Sequence, residues 1–112
     1  MASSSANHTQ LVHATLRHCA GRSDIIIWNH PTGFDPVRKI HYGLNGSSDM
    51  IGCRAILITP DMVGETIGQF IGPEVKTGKG VRTKRQLAFA RAIERLGGLC
   101  PLIRSEEDLE CL

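Results

Sequence analysis

No run of apolar residues in this chain approaches the roughly 20 that a membrane-spanning helix requires, so a helical membrane protein is excluded and a soluble one is expected. The beginning, MASSSANH, lacks a basic stretch followed by an apolar core. It does not read as a secretory signal, and residues 1–7 are expected to form a flexible tail. The 4 cysteines, Cys19, Cys53, Cys100 and Cys111, include no CxxC pair and no zinc-like spacing. Reduced thiols and a cytoplasmic location are the expectation. Internal repeats and low-complexity linkers are also missing, and 112 residues are enough for one domain, 1–112, with its own core. Aromatic residues are scarce, at 4%. Trp28 and Tyr42 are the single residues of their kinds and are candidate stacking groups or wedges, with Trp28 assigned to the core. Histidines His8, His13 and His18 recur every five residues, which spreads them around a helix instead of stacking them on one face, so a histidine metal site is not expected.

What the sequence does contain is an uneven distribution of charge. The net charge is only +2, yet Lys76, Lys79, Arg82, Lys84, Arg85, Arg91 and Arg95 fall in one segment whose only acid beyond Glu74 is Glu94. Two readings of this segment stand side by side. One is a solvated helix face; the other is a surface that contacts phosphates.

The pattern of elements is compact. A helical stripe of Leu11, Val12, Thr15, Leu16 and Cys19 predicts a helix from about Thr9 to Ala20, stopped by Gly21. Ile25–Trp28 reads as a strand and His30–Gly33 as a turn, with a second short extended piece over Val37–Tyr42. Stronger strands are expected over Asp49–Thr59, closed by Pro60, and over Gln69–Lys76, closed by the loop Thr77–Gly80. Thr83 followed by Gln86 fits a capping box, and Gly97-Gly98 ends the helix it starts. The inward stripe of that helix is Phe89, Ala90, Ile93 and Leu96, and Gln86 begins the same stripe facing the sheet. A final strand over Leu99–Ile103 and an acidic turn capped by Ser105 complete the chain. The order predicts an α/β fold, a small mixed sheet flanked by helices.

Within this pattern Asp49, Glu74 and Lys76 are charged residues in otherwise apolar strand sequence, and Asp49 is expected to be buried. Residues two apart on a strand share a face, so Glu74 and Lys76 point together while Val75 points into the opposite layer. One reading makes them an exposed same-face pair, with Asp49 capping a turn and Gln86 serving only its cap. The other makes them a catalytic group: carboxylates Asp49 and Glu74 compensated by a divalent cation, with Lys76 beside an attacking water. Two carboxylate oxygens completed by water suit Mg2+ or Mn2+.

The ordered set Gly46-Ser47-Ser48-Asp49-Met50-Ile51-Gly52, Pro73-Glu74-Val75-Lys76, Gln86, and Ile103-Arg104-Ser105 before an acidic turn resembles the VRR-NUC domain, a family of the PD-(D/E)xK nuclease superfamily. The resemblance runs from the first helix to Asp108, and the short length is similar to stand-alone members of virus or phage type. It implies an α-β-β-β-α-β restriction-endonuclease-like core and, for a phage-encoded protein, the cytoplasm of a bacterial host. It also implies that Asp49, Glu74 and the backbone carbonyl of Val75 bind the metal, Lys76 orients the water, and Gln86 supports the site. In one respect the chain departs from the family: an acid usual on the first helix is missing, because no Asp or Glu precedes Asp24. Gln10, His8 and His13 are candidates for that place.

Stand-alone members resemble junction-resolving nucleases, which implies branched DNA as substrate and a homodimer whose symmetry matches a four-way (Holliday) junction. Lys79, Arg82, Lys84 and Arg85 are the expected DNA-backbone contacts. Candidate dimer surfaces are Ile25-Ile26-Ile27 and the glycine-punctuated segment 64–72. The alternatives are a flap or general endonuclease and a non-catalytic DNA-binding module.

Overall fold

The computed structural model describes residues 4–112, with side chains of residues 7–112. Helix α1 spans Ser4–Cys19 and is followed by strands β1 (Ile25–Asn29), β2 (Gly33–Asp35), β3 (Ile40–Tyr42) and β4 (Met50–Arg54). A 3₁₀ turn over Pro60–Met62, strand β5 (Glu74–Val75), helix α2 (Lys84–Arg95), strand β6 (Leu102–Ile103) and a 3₁₀ turn over Glu106–Cys111 complete the order. Helix α1 starts at Ser4, inside the segment 1–7 for which a flexible tail is expected, and residues 1–3 of that segment lie outside the described residues. No helix among the described residues is long and apolar enough to cross a membrane.

The mixed helix and strand composition agrees with an α/β reading, but the strands do not join one mixed sheet. Among the described residues they form three two-stranded sheets, β1 with β4, β2 with β3, and β5 with β6. The pairing of β2 and β3 is antiparallel, Phe34 opposite His41. The pairing of β5 and β6 is parallel, Glu74 opposite Leu102 and Val75 opposite Ile103. The strand expected over residues 49–59 ends at Arg54, and the one expected over residues 69–76 is reduced to β5 and a single bridge between Ile71 and Leu99. Apolar composition alone suggested strands there; residues 55–58, between them, carry exposed side chains and no strand partner among the described residues. The hairpin partner β2 starts at the last residue of the expected turn, Gly33, and runs through Phe34 and Asp35, where no element was expected.

The contacts gather in two compact units, Met1–Gly52 and Cys53–Leu112. In the first unit α1 packs on β1, whose residues Ile25–Trp28 are half-buried. Cys19 is buried at the end of the helical stripe, while Leu11 at its start is exposed. Gly52 is required by close approach: a Cβ there would lie 2.1 Å from the Ile26 carbonyl oxygen.

The second unit holds most of the buried core: Ala90, Ile93, Leu96, Cys100 and Ile103. Helix α2 begins as its sequence predicts. The Thr83 hydroxyl accepts from the Gln86 N–H at 3.1 Å, and the Gln86 side chain accepts from the Thr83 N–H at 3.0 Å. Two donors that the helix start would leave unpaired are thereby satisfied. Its inward stripe is Ala90, Ile93 and Leu96; Phe89, one position off that line, is 40% exposed and is corrected from core to surface. Gly97, at φ 98°, ends the helix.

Candidate active site

Asp49 lies in the first unit, and Glu74, Val75, Lys76 and Gln86 lie in the second. Each group is built by its own local structure.

Asp49 stands between a polar turn and β4. Gly46, at φ 84°, makes the bend that precedes it, and the Ser48 hydroxyl donates to the Met50 carbonyl at 2.7 Å. The Asp49 carbonyl accepts from the His30 N–H at 2.8 Å, so the end of β1 fixes its backbone. Its carboxylate is 69% exposed, which corrects the expectation of a buried acid. The carboxylate meets His8 of α1, with Nε2 and Oδ2 3.0 Å apart. Both border an open cleft of about 490 Å³, together with Val12, Asn29, His30, Thr32, Ser47 and Ser48. The Ser47 hydroxyl in this cleft is buried and without a hydrogen-bond partner among the described residues. Of the candidates His8, Gln10 and His13 for the first-helix position, His8 is the one that borders this cleft.

Glu74 and Lys76 are brought to one side of the chain by β5. The Glu74 N–H donates to the Pro101 carbonyl at 2.9 Å and the Lys76 N–H to the Ile103 carbonyl at 3.1 Å, a ladder that fixes both in extended backbone. Their side chains are half-buried, whereas Val75 between them is 66% exposed. The alternation matches the expected two-residue period, but the layer expected over Val75 is not there. No ion pair joins Glu74 to Lys76 or to any other charged group among the described residues, so the simple same-face salt bridge is not what holds them. Gln86 is half-buried, and its side-chain oxygen is engaged in the cap of α2.

The basic segment divides into two kinds of residue. Lys79, Lys84 and Arg85 are exposed, as a phosphate-contacting surface requires. Arg82 is different: its guanidinium donates to the Cys100 carbonyl at 2.5 Å, and its buried Nε has no partner among the described residues. It is a strap within the second unit. Sequence reasoning had no signal for this, since its acceptor is a main-chain carbonyl 18 residues away. Arg104 was part of the quoted motif but had no role. It donates to the Gly80 carbonyl at 2.7 Å and holds the loop that follows Lys76.

Burial in this unit raises the Cys100 thiol above its usual 9.0, with the charge of Glu94 adding to the effect. In the 3₁₀ turn over Pro60–Met62, a hydrogen bond from the Thr59 hydroxyl lowers the Asp61 carboxyl.

The described residues contain no group of three or more His, Cys, Asp or Glu side chains gathered for a metal. The donors present are those a hard or borderline divalent ion accepts: exposed Asp49 with adjacent His8, and the unpaired carboxylate of Glu74. Comparison with known proteins found no matching family model, no matching curated protein and no matching solved structure.

Proposed function

We propose that the chain is a divalent-metal-dependent DNA endonuclease that hydrolyses phosphodiester bonds, acting on branched DNA as a homodimer. The observation that carries this reading is the state of Glu74 and Lys76. Glu74 in β5 and Lys76 just past its end are both half-buried on either side of exposed Val75, each fixed by a main-chain bond, and neither is neutralised by an ion pair among the described residues. Partly desolvated charges without partners are costly for stability alone and are common where chemistry is done.

In this reading the candidate ligands for Mg2+ or Mn2+ are Glu74 and the Val75 carbonyl in the second unit and Asp49 in the first, and the ion would supply Lewis acidity toward the phosphate. Lys76 orients the attacking water and offsets charge that develops on the phosphate oxygens, the largest contribution in reactions of this type. Water attacks phosphorus in line, the bond to the leaving oxygen breaks, and a proton passes to that oxygen; no covalent enzyme intermediate forms. Gln86 positions the start of α2 next to this chemistry through its cap. Exposed Lys79, Lys84 and Arg85 contact backbone phosphates without reading bases. The expected restriction-endonuclease-like core belongs to the same proposal.

The test is cleavage of a four-way junction, a flap, a plain duplex and single-stranded DNA with Mg2+, Mn2+ or chelator. Wild type is compared with Lys76→Ala and Glu74→Gln. Symmetric paired nicks in the junction, lost with chelator and reduced by at least about 100-fold in both variants, are the expected result. Cleavage of all duplexes alike moves the substrate to the general-endonuclease alternative. Binding of DNA with no cleavage under any metal overturns the enzyme reading in favour of a non-catalytic module.

A further inference from the structure

We propose that the hairpin of β2 and β3 is a contact surface for unpaired nucleotides, its open rings stacking on bases and its basic tip holding phosphates. The proposal rests on the reading of DNA as the partner, and it names the part of a branched substrate that the first unit engages: nucleotides left unpaired at the branch.

The chain has five aromatic residues of the Phe, Trp and Tyr kinds, and two of them stand open to solvent on this one hairpin. Phe34 is 49% exposed and Tyr42 is 48% exposed. Their places follow from the register. Phe34 lies opposite His41, so the two rings share a face, with centroids 4.9 Å apart and planes tilted by 48°. Tyr42 lies opposite Gly33 on the other face, which it shares with Ile40. Its ring is seated against that glycine, where a Cβ would collide with the phenol. Each face of the hairpin thus presents one ring held by a cross-strand neighbour, and all three residues of β3 are exposed. A two-stranded hairpin is marginal in water by itself, and rings left this open add little to it. Stability gives no reason to place scarce aromatics here, whereas a stacking partner does.

The tip supplies charge. Between the two strands run Pro36, Val37, Arg38 and Lys39. The Asp35 carboxylate is engaged by the tip itself, accepting from the Val37 N–H at 2.9 Å and the Arg38 N–H at 3.2 Å. Arg38 Nε stands 3.9 Å from the same carboxylate, at the outer limit of an ion pair, and the Arg38 side chain is 78% exposed. Lys39 is exposed and has φ 56°, the one residue other than glycine in the left-handed region among the described residues. Glycine or asparagine would occupy that position at lower cost, so the lysine is there for its side chain. Two cations against one engaged acid make the tip attractive to a polyanion. Rings beside cations are the combination that binds single strands without reading sequence. An apolar protein partner would use the rings and Val37 but would leave the left-handed lysine unexplained.

The test uses the full chain with chelator present, so that no DNA is cut, and two fluorescently labelled probes: a single-stranded oligonucleotide of mixed sequence and a plain duplex. Phe34→Leu and Tyr42→Leu keep apolar bulk and lack the ring. Each should weaken single-strand binding at least about fivefold and leave duplex binding unchanged, as read by fluorescence anisotropy. Ring-proton signals of Phe34 and Tyr42, assigned by their loss in these variants, should shift upfield when the oligonucleotide is added to wild type. Lys39→Asn tolerates the left-handed backbone, so it should keep the far-UV circular dichroism spectrum. It should also make the fall of log affinity with log salt shallower by about 0.7 on the single strand. Wild-type single-strand affinity in both ring variants overturns the proposal, and so does an equal loss on single strand and duplex. A change in sedimentation on ring substitution, with DNA binding intact, makes the hairpin a self-association surface and overturns it as well. If the ring variants bind single strands as wild type does and still cut junctions with Mg2+, the hairpin assignment fails and the nuclease reading stands. Single-strand binding through the hairpin with no cleavage under any metal supports the hairpin and removes the nuclease.

Discussion

Ile93 and Gly98 are a pair whose energies should not add, and the size of the discrepancy follows from their contact. Ile93 is 0% exposed and anchors α2 in the second unit. Truncation to alanine removes three carbons, about 2.4 kcal/mol of transfer free energy at about 0.8 kcal/mol each, and any cavity that persists brings the cost into the range of about 2–5 kcal/mol. At Gly98 an added Cβ would lie 2.5 Å from Ile93 Cγ2, 3.2 Å from the Ile93 carbonyl oxygen and 3.3 Å from the Phe70 carbonyl oxygen. Gly98 is not among the residues of positive φ, so the backbone itself accepts alanine. The obstacle is Cγ2, which a β-branched side chain cannot swing aside. Gly98→Ala alone should therefore cost about 1–3 kcal/mol by overpacking.

In the double variant the obstacle is gone and the new methyl takes up part of the space that Ile93 leaves. The pair should be about as stable as Ile93→Ala alone, a favourable coupling of about 1–3 kcal/mol. Urea unfolding followed by far-UV circular dichroism measures it, with equal m-values required of all four proteins. Tryptophan fluorescence is the wrong probe, because Trp28 belongs to the first unit. Additivity within about 0.5 kcal/mol would show that Gly98 is tolerated for reasons unrelated to Ile93, and the packing of α2 against the segment around Phe70 would have to be abandoned.

Two further outcomes are expected. Thr83→Ala removes the hydroxyl that caps α2 and should lower stability by about 1 kcal/mol, seen as a reduced urea midpoint; no change would mean the cap forms without energetic consequence. For Cys100, burial lifts the native thiol above the unfolded value of 9.0, so the native state holds its proton more tightly. The stability this provides is complete below about pH 9 and is lost as pH rises toward the native value. Thermal unfolding of wild type should decline more steeply above pH 9 than that of Cys100→Ala, and parallel curves would refute the assignment.

The parts of the fold legible in sequence are those governed by local chemistry. The capping box of α2 and the glycine that ends it act within a few residues, and both stand where expected. Strand lengths were not legible, because an apolar run such as residues 55–58 is the same string whether or not a partner strand arrives. Phe89 and Val75 failed for a related reason: periodicity tells which side chains point together, not whether anything covers them. The alternation at Glu74 and Lys76 was legible as geometry, yet the absence of an ion pair between them among the described residues had to come from the structure. His8 was one of several equivalent candidates until the helix face was known.

The loop after β5 is held from an unexpected place. Arg104 reaches the Gly80 carbonyl through its side chain, while its own N–H and that of Ser105 donate to Asp108 at 2.8 and 3.2 Å. Loop 77–80 and the acidic turn near the chain's end are thus mechanically in series through one arginine. Their amides should exchange with deuterium on a common timescale, as one opening unit rather than two. In evolutionary terms, a change at Asp108 that releases the Arg104 N–H would be passed on through the Arg104 side chain to the Gly80 carbonyl.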